Sequence, residues 1–456
     1  MGCNHCEEFS RSHLMRRAVA EAGSGLPSIE PGMPPPAGTG LNRRSFMLRS
    51  SAAILSVYGA SKLSFAGFEE GIAQAAGGND RVLVSIFLDG GVDSLSVLSP
   101  TADPIYRSMR PTLALAEGAG TPFAEDPSLR WNPAAASFDA LHRAGKMSVL
   151  PGVGYDSPDQ SHFTSRHYWE VGALRPYEVT GWMGRLIDTI GTQDNPLQGL
   201  SLDGSLSPAL ATGSLPVAAI SGPSYDLWAK NVWGQPEELM YGAVGELGRA
   251  AARTKDAGMK TAGGAAAQAM ALKAQLQPFS GEEIVPPVPY PEGEGEWFGE
   301  SLSALAAMLH AGLPIRCAAL SAPGGFDTHD NQAESFDTDI RVATESIAAF
   351  QADLEARGLA DRVITLVWSE FGRRPEENDS GTDHGAGGSA FVLGTQVRGQ
   401  MIGEFPGLAQ LDPDDNLRAT SDFRGLYCSI IEQWFGVDAA AVIPDAGAFG
   451  RAALIG

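Results

Sequence analysis

Arg81-Val82-Leu83-Val84-Ser85-Ile86-Phe87-Leu88 runs directly into Asp89-Gly90-Gly91. A nearly unbroken apolar run of this length, stopped by a carboxylate and two glycines, reads as a strand buried on both faces. Working outward, Met147 to Leu150 reads as a second strand ending at Pro151-Gly152, and helical patterning follows from His162 to Glu170. Further along, helix Gly299–Ala311, strand Ile315–Leu320, helix Thr338–Arg357 and strand Val363–Trp368 alternate. Phe391 to Gly394 reads as another strand and Phe423 to Phe435 as a closing helix. Alternation of this kind predicts an α/β fold with a mostly parallel central sheet and helices on both faces.

The middle of the chain is less regular. Gly199 to Gly222 suggests short strands and loops, while Glu237 to Leu276 is Ala-rich with spaced charges and reads as one or two long helices. Ile284 to Gly295 holds four prolines and reads as an extended loop. We expect this helical and Pro-rich stretch, about 237–295, to be an insertion in a domain spanning 78–456, serving as a lid or a partner surface.

Hydrophobic residues make up 43% of the chain and charged residues 19%, the balance of an ordinary globular core. The net charge of −22, with no basic stripe, argues against nucleic acid as a partner, because phosphate contacts need clustered Lys and Arg. Of the four cysteines, Cys317 and Cys428 lie in apolar runs and read as buried free thiols, so no disulfide framework is expected. Cys3-Asn4-His5-Cys6 has the spacing of half a metal site, which is a weak signal without a second pair.

The N-terminus carries a different message. Residues 1–40 are Pro-, Gly- and Ser-rich near their end and read as disordered. Asn42-Arg43-Arg44-Ser45-Phe46-Met47 then precedes an interrupted apolar stretch, Ala52 to Phe65, and small residues at Ala73-Gln74-Ala75-Ala76. That order matches a twin-arginine export signal over about 41–77, cleaved near Gly77; the competing reading is a cytosolic amphipathic helix with a chance Arg pair. The apolar stretch falls short of the roughly 20 consecutive apolar residues that span a bilayer, and no later stretch reaches that length. We therefore expect the chain to meet the twin-arginine machinery as a precursor and to work in the periplasm, at the cell surface or outside the cell, without a stable membrane span.

In open α/β sheets ligands bind beyond the carboxyl ends of the strands. The polar residues found there are Asp89 and Asp93 after the first strand, and Asp156, Asp159, Ser161 and His162 after the second. Asp327, His329 and Asp330 follow the strand at 315–320; Ser369, Glu370 and Arg373 follow the strand at 363–368; Asp383 and His384 precede the strand at 391–394. The whole chain has eight histidines, so three in this set is an enrichment. Carboxylates with imidazoles are the ligands of zinc, manganese and similar ions. Asp327 and His329 lie two positions apart, so an extended segment points both the same way. The alternative is that these are loop residues that cap helices, with Asp383 and Ser369 the readiest caps.

These segments resemble domain-of-unknown-function family 1501. The resemblance lies in Leu88-Asp89-Gly90-Gly91-Val92-Asp93-Ser94-Leu95, Ser161-His162-Phe163 through Trp169-Glu170-Val171-Gly172, and Gly181-Trp182-Met183-Gly184-Arg185. It continues through Gly325-Phe326-Asp327-Thr328-His329, Ser369-Glu370-Phe371-Gly372-Arg373 and Gly381-Thr382-Asp383-His384-Gly385. The resemblance implies export by the twin-arginine route and a fold similar to the alkaline phosphatase superfamily, which includes sulfatases and phosphomutases. It also implies site roles. Asp327 and His329 resemble an Asp/His pair on one metal, Glu370 stands in the Asp position of an Asp-His-Gly motif, and His384 completes the first metal site. Asp89 resembles the aspartate ending the first strand, with Asp93 as its substitute, and Ser161 or His162 stands near the place of the nucleophile. Phe371 replaces a histidine ligand, so one metal held by Asp327, His329 and His384 is expected in place of two.

The expected function is an exported metal-dependent hydrolase of small anionic phosphate or sulfate esters, using zinc, manganese, calcium or magnesium. Arg373 is either a clamp on the transferring group or one half of a structural ion pair. Glu170 reads as a helix-surface charge before an outer support of the site. The rival reading is a secreted binding or assembly protein that keeps the fold with a degenerate metal site.

Overall fold

The computed structural model describes residues 55–58, 81–192, 195–220, 234–251, 253–276 and 285–456. Arg43-Arg44, the small residues at 73–76, the Cys3/Cys6 pair and the stretch expected to be disordered lie outside these residues. Of the apolar stretch 52–65, only strand β1 (Leu55–Tyr58) is described, and it pairs antiparallel with a strand of the central sheet.

That sheet has nine strands among the described residues. Beside β1 they are β2 (Val82–Phe87), β3 (Met147–Gly154), β4 (Gly199–Ser201) and β5 (Val217–Ile220). The rest are β6 (Cys317–Ser321), β7 (Val363–Trp368), β10 (Gly388–Leu393) and β11 (Ser421–Asp422), while β8 (Arg373–Asn378) and β9 (Gly381–His384) form a separate antiparallel ribbon. The order across the sheet is β1-β5-β4-β6-β2-β7-β10-β3-β11. From β5 to β7 all neighbours are parallel, and β10 runs against both β7 and β3. The fold is thus α/β with a large, mostly parallel sheet, as the strand–helix alternation predicts.

The apolar run that defines β2 works by alternation. Val82, Val84 and Ile86 enter one core with α1 (Ala136–Arg143), α6 (Glu296–His310) and α7 (Gln332–Ala356). Leu83 and Phe87 enter the opposite core with α2 (His162–Val171), α3 (Trp182–Ile190) and α8 (Phe423–Ser429). Both faces are covered, so the strand is apolar throughout except for Ser85, whose buried hydroxyl accepts from Trp368 Nε1 at 2.9 Å. The expected strand at 147–150 continues to Gly154, because a register shift against β10 falls between Leu150 and Val153. A bulge there leaves Pro151 at a place where its missing N–H costs no ladder bond.

The Ala-rich stretch forms two helices, α4 (Gln235–Ala251) and α5 (Ala257–Leu276). They approach closely at Gly248, where a Cβ would lie 2.8 Å from Gly263 O and 2.9 Å from Ala267 N. The Pro-rich loop is fastened by the Tyr290 hydroxyl, which donates to Asp353 at 3.0 Å. The expected closing helix is α-helical only through Ser429; Ile430–Phe435 continues as a π-helix.

Candidate metal centre

Three histidines and one aspartate meet at one end of the sheet. His162 opens α2 just after Ser161, whose side chain accepts from Thr164 N–H as the helix cap. Asp327 and His329 follow β6, and Thr328 between them turns inward to bond Gln332 at 3.0 Å. His384 ends β9, with Gly385, Ala386 and Gly387 leading into β10. Because β10 is antiparallel to its neighbours, its start lies where theirs end, and this brings His384 to the others.

The geometry is tight. His162 Nε2 lies 2.9 Å from His384 Nε2, and Asp327 Oδ1 lies 3.3 Å from each. His329 Nε2 adjoins the same group at 2.9 Å from His384 Nε2 and 3.2 Å from Asp327 Oδ1. Tetrahedral ligands with bonds of about 2.0–2.1 Å stand about 3.3 Å apart. His162, Asp327 and His384 therefore outline one face of such a tetrahedron, all three ligand atoms lying within 4.8 Å of one another.

The outer partners decide what these nitrogens offer. His162 Nδ1 faces Glu370 Oε1 at 2.7 Å, His329 Nδ1 faces Asp383 Oδ1 at 3.1 Å, and His384 Nδ1 faces the Gln160 carbonyl at 2.9 Å. A carboxylate or carbonyl only accepts, so each neutral ring places its proton on Nδ1 and a lone pair on Nε2. With all three rings neutral, three Nε2 lone pairs and the Asp327 carboxylate oxygen face one point, an arrangement that a bound cation satisfies. That donor set fits zinc or a similar borderline ion.

Electrostatics reports the same appetite for positive charge. Burial alone would depress the His162 imidazolium, yet hydrogen bonds to Asp327 and Glu370 push it up to about 9. Burial also works against the Asp327 charge, but His162, His329, His384 and Arg373 hold its carboxyl far below the usual range. His384 is pushed down by burial and by the neighbouring cations His162 and Arg373, so it stays a neutral ligand-type imidazole.

The remaining candidates fall in three places. Glu370 and Asp383, expected as ligands, stand one layer out as the partners of His162 and His329. Glu370 is fully buried and also accepts from the Gly90 and Gly91 amides and the Ser369 hydroxyl at 3.0–3.1 Å. Arg373, expected as a clamp or an ion pair, is buried and donates to the carbonyls of Gly90, Gly91, Phe326 and Thr382 and to Asp327 Oδ1 at 2.6 Å. Its fork is spent on holding the strand-end loops and Asp327 in place.

Asp89 and Asp93 face arginines. Asp89 lies 3.8 Å from Arg166, which is itself bonded to Glu170 at 2.8 Å. Glu170 is thus buried and paired, a correction to the surface charge expected for it. Asp93 caps the turn Ser94–Val97 and makes a buried ion pair with Arg110, with further bonds from Ser96 and Gln332. Burial would raise its carboxyl, but those partners outweigh burial and lower it. Sequence reasoning passed over Gln160, Arg110 and Arg166. The only trace of Gln160 was its position just before Ser161-His162.

Comparisons with known proteins add a frame. Residues 243–425 match the family described as "Protein of unknown function (DUF1501)", a span that includes Asp327, His329, Glu370, Arg373 and His384. No curated protein matches the chain by sequence. Among solved structures, one neighbour is a protein in the alkaline phosphatase superfamily from Vibrio parahaemolyticus, 9% identical over 86% of this chain and 78% of that one, with a TM-score of 0.34. The PsFucS1 sulfatase from Pseudoalteromonas sp. is 13% identical, covering 86% and 78% of the two chains with a TM-score of 0.33. The phosphonate monoester hydrolase SpPMH from Silicibacter pomeroyi is 12% identical over 81% and 75%, with a TM-score of 0.32. At these scores no residue role passes from them to this chain.

Proposed function

We propose that this chain is an exported hydrolase of small phosphate or sulfate esters that uses one divalent ion. His162, Asp327 and His384 hold the ion, and His329 completes the set. The observation that carries the reading is the meeting of three imidazole Nε2 atoms and Asp327 Oδ1 within hydrogen-bond distance, each ring held at Nδ1 by an acceptor. Bound there, the ion would polarise an ester oxygen and acidify a water. The chain's own residues do the rest. Glu370 and Asp383 hold two rings in the ligating tautomer, and Arg373 pins Asp327. The Asp327, His329 and His384 side chains keep 16–19% of their surface exposed, whereas His162 and Glu370 are sealed at 3% and 0%. Substrate therefore approaches from the Asp327–His329–His384 side.

The test is metal analysis of the purified chain together with turnover of nitrophenyl phosphate and nitrophenyl sulfate. About one equivalent of zinc or manganese, with hydrolysis lost on chelation, is the expected result. A chain that hydrolyses these esters without any metal refutes the metal-dependent reading.

One observation favours the rival reading of a secreted binding or assembly protein. The Arg373 donors are committed to the protein, and the Ser161 side chain caps its own helix. Metal bound without hydrolysis of any ester selects that reading.

Export is proposed on the Arg43-Arg44 motif and the apolar stretch after it. The double substitution Arg43→Lys with Arg44→Lys should leave the precursor in the cytoplasm; normal export of that variant overturns the signal.

A further inference from the structure

The carbonyl that fixes His384 belongs to a residue in an uncommon conformation. Gln160 has φ +61°, the left-handed region that side chains with a Cβ rarely occupy. Its side-chain amide is tied down elsewhere: Gln160 Nε2 donates to Asn416 Oδ1 at 2.8 Å. Asn416 is fully buried and is oriented in turn by Asp412, which accepts from the Asn416 backbone N–H at 2.8 Å and from its Nδ2 at 3.0–3.1 Å. Since Asp412 takes the Asn416 NH2 group, the amide oxygen must face Gln160, and the direction of every bond in the chain is settled. The same loop braces the other side of His384, where the Gly387 N–H donates to Leu417 O at 2.9 Å.

We infer that Asp412, Asn416 and Gln160 form a positioning relay that sets the metal affinity of His384 from outside the ligand set. The relay keeps Gln160 in its left-handed turn, so that its carbonyl meets His384 Nδ1–H and leaves the Nε2 lone pair directed at Asp327 and His162. Nothing in the metal chemistry requires a loop some 30 residues past His384; the hydrogen bonds supply the link. Outer supports of this kind are worth about 10–100-fold in metal affinity. The inference rests on the metal-centre reading, and its test separates the two.

Cobalt(II) binding to the full chain is measured by competition with a chelator, alongside the visible absorption of the cobalt form, for wild type, Asn416→Ala, Gln160→Ala and the double variant. Each single variant should bind cobalt about tenfold more weakly or worse, with altered absorption bands. The double variant should be no weaker than the weaker single, because both cut the same relay. Gln160 is only part-buried, so Gln160→Ala decides the matter if Asn416→Ala fails to fold. Wild-type affinity and spectrum in the single variants, or losses that add, overturn the relay while leaving the metal centre standing. A wild type that binds no cobalt overturns both.

Discussion

Replacing Glu370 by Gln distinguishes an outer support from a ligand, and its cost can be worked from the contacts. The carboxylate accepts from His162 Nδ1 at 2.7 Å, from Gly90 N and Gly91 N at 3.1 Å each, and from Ser369 Oγ at 3.0 Å. A glutamine has nearly the same shape but offers one oxygen and one NH2. If its oxygen stays with His162, the NH2 meets the Gly91 N–H, and a buried donor loses its acceptor for about 1–3 kcal/mol. If it flips, the NH2 faces His162 Nδ1, which must then give up its proton, and the Nε2 lone pair is lost to the ion. In either orientation the anion that favours the ligating tautomer is gone. Metal affinity should fall about 10–100-fold, which is about 1.4–2.7 kcal/mol, while a folded chain survives. His162→Ala, which removes the ligand itself, should lose more. The assay is chelator competition for zinc with thermal unfolding of the same samples. A Glu370→Gln variant that binds zinc as tightly as wild type refutes the outer-support role. One that binds as poorly as His162→Ala shows Glu370 to be a ligand after all.

Four further outcomes are expected. Asp93→Asn leaves Arg110 buried without its counter-charge and should cost about 3–5 kcal/mol, read from the denaturant midpoint, with metal stoichiometry unchanged; retained stability would mean the pair is dispensable. The Asp93 carboxyl is lowered by its partners, so its contribution is present above the ordinary value of 3.8 and is lost as the pH falls below it through the folded-state value. Wild type should therefore lose more stability than Asp93→Asn between pH 5 and acid. Arg373→Lys keeps the charge but cannot span four carbonyls and Asp327, so it should lower both melting temperature and metal affinity; an unchanged variant would show that charge alone suffices. Gly90→Ala should also disturb the centre, because Gly90 has φ +113° and a Cβ would collide with Asp327 N and sit 2.9 Å from Phe326 C; unchanged metal binding would show that the loop can yield.

How far the site was legible depends on which physical signal each residue leaves in the sequence. Buried strands such as Val82–Phe87 and Val363–Trp368 announce themselves by continuous apolar runs, and the residues after them inherit their place from the sheet. That is why Asp327 and His329 could be placed at the sheet end from the sequence alone. What periodicity cannot carry is direction across a sheet. His384 reaches the others only because β10 runs against its neighbours, so that residues before a strand join residues after strands. Nor can composition tell a ligand from the group behind it: Glu370 and His162 sit at the ends of different strands, and only their 2.7 Å contact through Nδ1 assigns the carboxylate to the outer layer. The same holds for Asp93, whose carboxyl matches a ligand in type but is claimed by Arg110, a residue 17 positions away with no motif of its own. Helix-end and strand-end polar residues in this fold therefore divide by what buries beside them. Those met by arginine, Asp93 and Asp89, close the scaffold. Asp327 is met by Arg373 and by three imidazoles together, so it ties the strand-end scaffold to the histidine cluster.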